Sequence, residues 1–263
     1  MSQNTVLLTC AIINLLIVEN FAATILRQYL QKRRDAQLYW SIALFMAFFA
    51  TLAYILLVTG NPISSSGKFF FRLYYVLGAA LTPIWLGLGS IALVTSQRVA
   101  RTFFLLLCAS TILAVVTISE APMNLQALAH VAGTTGTGVL VTGAWLPTII
   151  VLNTLGVVAI VGVAIYSGWK LLRRQASVAG FLPHHLLLAN VLILAGALFN
   201  AAAGTLSRVF GLDSSFWLVM GFGWIIFYLG VLLTGRRKQM INQASESAPT
   251  PDANETRKPV TSV

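Results

Sequence analysis

The stretch Leu16-Ile17-Val18-Glu19-Asn20-Phe21-Ala22-Ala23-Thr24 sets a carboxyl group inside an otherwise apolar run. Hydrocarbon tolerates such a group only when it is neutral, paired or open to water, because a lone charge there costs several kcal/mol. A side chain that takes up and releases a proton inside a helical bundle can couple proton movement to solute movement. The alternative role for Glu19 is structural, as a neutral donor to Asn190 or to a backbone carbonyl that fixes helix packing. Four amides and a phenol extend the set: Asn14, Asn153, Asn190, Asn200 and Tyr228 also fall within apolar runs. Each can hydrogen-bond a solute or a neighbouring helix.

The elements that must carry these groups follow from composition. Of 263 residues, 57% are hydrophobic and only 9% charged, far from the balance of a soluble domain. Runs long enough to span a bilayer occur at Thr5 to Leu26, Leu38 to Val58, Phe71 to Val94, Thr102 to Ser119, Leu146 to Trp169, Leu182 to Leu206 and Phe216 to Thr234. Each is near-continuously apolar and too long for a membrane β-strand, so the expected fold is all-α, a polytopic bundle of seven transmembrane helices. The bundle accounts for residues 1–238, and the polar, proline-containing residues 239–263 read as a disordered cytoplasmic tail.

Orientation follows from the basic residues, which are retained beside cytoplasmic loops. With the N-terminus outside, the inner loops and tail hold Arg27, Lys32, Arg33, Arg34, Arg98, Arg101, Lys170, Arg173, Arg174, Arg236, Arg237, Lys238, Arg257 and Lys258. The outer side then holds only Lys68, Arg72 and Arg208. The expected placement is the inner (plasma) membrane of a bacterium, N-terminus out and C-terminus in. The same distribution explains the net charge of +10 without nucleic acid, since no soluble basic face is left to dock on phosphates.

Helical rise sets the depth of each polar group. At 1.5 Å per residue, Glu19 lies about 10 Å from the inner end of the first span, and Asn190 and the hydroxyl of Tyr228 reach a similar level. They are expected to form an inner polar layer. Asn14, Asn153 and Asn200 fall in the outer half and are expected to form a second layer. The third span is rich in small residues and contains Pro83, which removes a backbone hydrogen bond and permits a kink. With Trp85 and Gly87, it is expected to line a cavity.

Two segments of sequence echo each other. Asn14 precedes Arg33-Arg34 by nineteen residues and Asn153 precedes Arg173-Arg174 by twenty, while Gly78 and Gly87 have the same separation as Gly221 and Gly230. The pattern suggests two parallel three-helix units joined by the fourth span, a 3+1+3 arrangement used by some secondary transporters.

Other motifs carry less. Cys10 and Cys108 fall at opposite depths and read as packing residues. Gly133-Thr134-Thr135-Gly136-Thr137-Gly138 lacks the Lys-Ser/Thr of a phosphate loop and reads as a turn in the long outer connection from Glu120 to Trp145, the one external segment large enough to cover a site. His184 and His185 are adjacent and do not share a helix face, so no metal site is expected. No lysine lies in a span core, which excludes a retinal Schiff base, and no cofactor is expected. Paired acids, or a nucleophile with its base, are absent from the spans, so an enzyme is not expected.

The stretch FRLYYVLGAALTPIWLGLGS, from Phe71 to Ser90, resembles one in uncharacterised bacterial seven-helix integral membrane proteins. That resemblance implies kinship of fold and carries no activity or site residue. The residues themselves point to a membrane protein that binds, and in one version transports, a small solute or lipid within its bundle, alone or as a homo-oligomer. The competing class is a sensor or assembly subunit that relays to partners.

Overall fold

The structure is a computed structural model that describes residues 3–176, 184–210 and 215–246. Among the described residues seven spans are present: α1 (Gln3–Lys32), α2 (Asp35–Thr59), a composite third span, α5 (Gln97–Glu120), α7 (Trp145–Ala176), α8 (His184–Phe210) and α9 (Phe216–Glu246). The third span comprises α3 (Ser65–Tyr74), a π-helical turn (Tyr75–Leu81) and α4 (Thr82–Val94). A short helix, α6 (Leu125–Ala129), lies in the connection between α5 and α7. Among the described residues there is no strand, only an isolated bridge between Met123 and Leu140. Seven helices of this length and apolarity make the chain a multi-pass integral membrane protein.

Local chemistry sets several boundaries. Arg33, at φ 49°, takes the left-handed conformation that turns α1 into α2 within two residues. Ser64 caps α3 by accepting from the Gly67 N–H at 3.0 Å. The π-helical turn stands directly before Pro83, which has no N–H to offer the preceding turn. There the Leu77 carbonyl accepts from both the N–H and the hydroxyl of Thr82. The kink expected from the proline therefore takes the form of an inserted wide turn. Helix α9 continues past Lys238 to Glu246, so part of the segment expected to be disordered is helical. Residues 247–263, and the start of the sixth span at Leu182 and Pro183, lie outside the described residues.

Six spans close a ring: α1 packs on α2, α2 on the third span, α4 on α7, α7 on α8, α8 on α9, and α9 back on α1. The fourth span, α5, lies outside this ring against α4 and α7. It leaves Phe103, Leu105, Leu106, Ile112 and Leu113 exposed to the surrounding lipid. Two arcs of three helices joined by an external fourth match the expected 3+1+3 order. The glycine pairs that suggested it do not occupy equivalent places, however. Gly78 faces Ala50 of the second span while Gly221 faces Asn14 of the first, and Gly87 faces α7 while Gly230 faces α8.

Close packing at the ring's seams depends on missing side chains, as expected where lipid tails remove any hydrophobic drive between helices. A methyl group built on Gly156 of α7 would lie 2.5 Å from the Pro83 carbonyl, and one on Gly196 of α8 would lie 2.6 Å from the Phe227 nitrogen. The ring has no open centre along its aromatic core. Trp40 of α2 reaches Phe227 of α9 with centroids 6.1 Å apart, and Tyr54 reaches Trp217 at 4.6 Å.

Candidate functional site

A buried polar cluster lies at the end of the bundle that carries the 121–144 connection. There the Thr-Gly segment folds down onto the helices instead of arching away. Gly133, Gly136 and Gly138 have φ values of 82°, 76° and 84°, which only glycine adopts without strain. At Gly136 a side chain would also overlap the ring of Phe71. Around these turns Leu128, Val131 and Val139 are buried and anchor the segment to the core.

Polar groups complete the attachment. The Tyr54 hydroxyl accepts from the Gly133 N–H at 3.0 Å, and the Tyr74 hydroxyl donates to the Thr135 carbonyl at 3.4 Å. The Thr135 hydroxyl lies 2.7 Å from that of Thr137 and 2.8 Å from that of Ser207 on α8. Thr135 and Ser207 are both buried. The connection thus forms a roof tied to α2, α3 and α8 at once.

Beneath the roof lies an aromatic group, with Trp217 flanked by Tyr54 at 4.6 Å and Tyr74 at 6.4 Å between centroids. Asn14 of α1 donates through Nδ2 to the Trp217 carbonyl at 2.7 Å. Both residues are 1% exposed. Two of their polar atoms, Asn14 Oδ1 and Trp217 Nε1, are buried with no hydrogen-bond partner among the described residues. One is an acceptor and the other a donor. A buried polar group left unmet costs about 1–3 kcal/mol, so each of these two atoms is a point where a water or a ligand group would be stabilising.

The residues expected to form sites are distributed differently from the two proposed layers. Glu19 is exposed on the outward face of α1, as is its neighbour Asn20, so Glu19 does not enter the bundle. Tyr228 points back to α1, its hydroxyl 2.8 Å from that of Thr24 and its ring stacked 4.9 Å from Phe21. Asn190 is half-buried on α8. The inner layer is therefore not assembled: Glu19 is turned away from it by the pitch of α1, and Tyr228 is taken by Thr24.

In the outer layer, Asn14 and Asn200 are separated by α9. Asn14 packs at Gly221, and Asn200 packs at Gly223, two residues on and on another face of the helix. Asn153 is half-buried on α7. Asn153 Oδ1 and Asn200 Oδ1 are buried without a partner among the described residues. Asn14 and Asn200 thus sit on different faces of α9, and no hydrogen bond joins any two of the three amides among the described residues.

The third span does not line a cavity with the named residues. The Pro83 carbonyl and Gly87 press on Gly156 of α7, where glycine removes the side chain that would hold the helices apart. Trp85 packs on the other side against Tyr39 and Phe104, at 6.5 Å and 5.9 Å between centroids. The side chains of His184 and His185 lie outside the described residues. Among the described residues, no three His, Cys, Asp or Glu side chains cluster as a metal site would require.

Sequence reasoning found Asn14 and the Thr-Gly turn but not their neighbourhood, since Tyr54, Ser207 and Trp217 read as ordinary span residues. The only advance signal was the glycine spacing of the turn. No protein-family model matches the chain, and neither a curated protein nor a solved structure shows significant similarity to it.

Proposed function

We propose that this membrane protein captures a small neutral solute at the roofed end of its bundle, and acts as a binding protein or carrier. The observation that carries this reading is the unmet acceptor on Asn14 and the unmet donor on Trp217, two buried residues whose helices are joined by a bond from the Asn14 amide to the Trp217 main-chain carbonyl. A solute with one N–H or O–H group and one carbonyl or hydroxyl oxygen would satisfy both, while Tyr54 and Tyr74 offer flat apolar surfaces beside it. The lack of a carboxylate among these residues disfavours a cation. Entry requires the roof to lift, which breaks its bonds to Tyr54, Tyr74 and Ser207 and withdraws Leu128, Val131 and Val139 from the core. With the basic ends of the helices taken as cytoplasmic, the roof faces outside the cell.

Passage to the other side would further require the Trp40–Phe227 and Tyr54–Trp217 contacts to part, so the described state is closed at both levels. The test is a thermal-shift screen of purified protein against small amides, amino alcohols and phenols. A stabilising compound should lose its effect in Asn14→Leu and Trp217→Phe. It should also lose it reversibly when a Thr135→Cys/Ser207→Cys disulfide locks the roof. Stabilisation that survives all three changes, or a screen with no stabilising compound, would refute the reading.

A second reading, that of an assembly subunit, is favoured by the outward position of Glu19 and Asn20.

A further inference from the structure

The outward face of α1 carries the polar groups that the bundle interior does not absorb. Val6, Thr9, Ile13, Leu16, Asn20, Ala23, Arg27 and Leu30 are all exposed and recur at alternating steps of three and four residues. This is the spacing of a heptad seam. Glu19, also exposed, flanks the seam beside Asn20. Among the described residues these two are the only acid and amide exposed in the middle of a span. Beside them runs an open groove of about 350 Å³ between α1 and α9, lined by Ile13, Leu16, Asn20, Ile225, Tyr228 and Leu229 among others.

Asn20 Nδ2 spends one hydrogen on the Leu16 carbonyl at 2.8 Å. Its second hydrogen and its Oδ1 remain available on the surface. Left against acyl chains, this amide and the neighbouring carboxyl group are both costly.

We infer that this face is the interface with a second copy of the same chain, α1 against α1 about a two-fold axis along the membrane normal. All copies insert with one orientation, so the two α1 helices run parallel and each seam position meets its own counterpart. An amide is donor and acceptor together and is therefore complementary to itself: the second Nδ2 hydrogen of each Asn20 donates to the Oδ1 of its counterpart, and the two Glu19 carboxyl groups flank the pair. An Asn at the centre of a heptad seam whose neighbouring positions Ile13, Leu16 and Ala23 are apolar also fixes register and favours two strands. Ala23 below it allows the helices to approach. A foreign helix would need its own acceptor and donor at this one level, whereas the second copy supplies them by symmetry.

The experiment uses the full chain with Cys10 and Cys108 replaced by Ser and single cysteines introduced at Ile13, Leu16, Asn20 and Ala23. Leu106 and Leu113 on α5 serve as exposed controls. Oxidation in native membranes should give a covalent dimer from the α1 positions and not from α5. In vesicles at fixed protein-to-lipid ratio, Glu19→Leu/Asn20→Leu should lower the dimer fraction about tenfold by photobleaching counts, while Glu19→Gln should preserve it. Cross-linking from α5 equal to that from α1, single-copy counts for the unmodified chain, adducts of a mass other than two copies, or a dimer fraction indifferent to the double change would each overturn the interface. Because Glu19 and Asn20 lie on the surface, loss of fold does not confuse the result. Solute binding at the roofed end should persist in the double variant, which separates this inference from the proposed function.

Discussion

Asn14 and Glu19 stand five residues apart on α1 and meet opposite surroundings. Asn14 is fully enclosed, hydrogen-bonded to the Trp217 carbonyl and seated against Gly221. Glu19 faces outward beside Asn20. Five residues along an α-helix turn the side chain through about 140°, so two polar groups in one span can belong one to the core and the other to the lipid boundary. Depth in the membrane tells how costly a polar group is. Rotation about the helix axis tells what can relieve that cost, and on α1 the relief comes from α9 at Asn14, whereas Glu19 faces away from the bundle.

The largest break in this comparison is expected from the glycine that lets α8 close on α9. Gly223→Leu would drive a side chain into the Asn200 amide and α8 backbone, and should destabilise the bundle by about 3 kcal/mol or more, read as a marked fall in Tm in detergent. Asn14→Leu removes the bond that ties α1 to α9 and should lower stability by about 1–2 kcal/mol in the same assay. Tyr228→Phe deletes only the hydroxyl contact with Thr24, keeps the stacking on Phe21, and should cost about 0.5–1 kcal/mol. Smallest is Glu19→Leu, which at dilutions where single copies dominate should shift stability by no more than about 0.5 kcal/mol. If Glu19→Leu proved as damaging as Asn14→Leu under those conditions, the two sides of α1 would not differ as described.

The same geometry explains what could be read in advance. Seven spans were legible because roughly twenty consecutive apolar residues have few other uses, and the helices extend beyond the runs, most of all α9, which continues from Thr234 to Glu246. Which side of a span faces inward was not legible, since spans such as α2 and α9 are apolar all round and lack the sidedness that a water-facing helix shows. The proposed layers at Glu19, Asn190 and Tyr228, and at Asn14, Asn153 and Asn200, were built from rise alone and failed on rotation. Pro83 signalled a disturbance in the third span correctly, but its neighbours Gly87 and Gly156 form a tight seam where a cavity was expected. The Thr-Gly turn was legible as a turn from its glycines. Its bond to Ser207, seventy-two residues from Thr135, left no local trace.

The wide turn at Tyr75–Leu81 has a consequence for the third span as a whole. One additional residue per turn offsets every side chain that follows by about 100° relative to an uninterrupted helix. The lower half of the span is thereby indexed independently of the upper half, so that Gly87 can mesh with α7 while Tyr74 engages the roof. Loss or gain of a residue in this segment acts as a change of gear setting: the span keeps its reach across the bilayer, but presents a different flank to each neighbour.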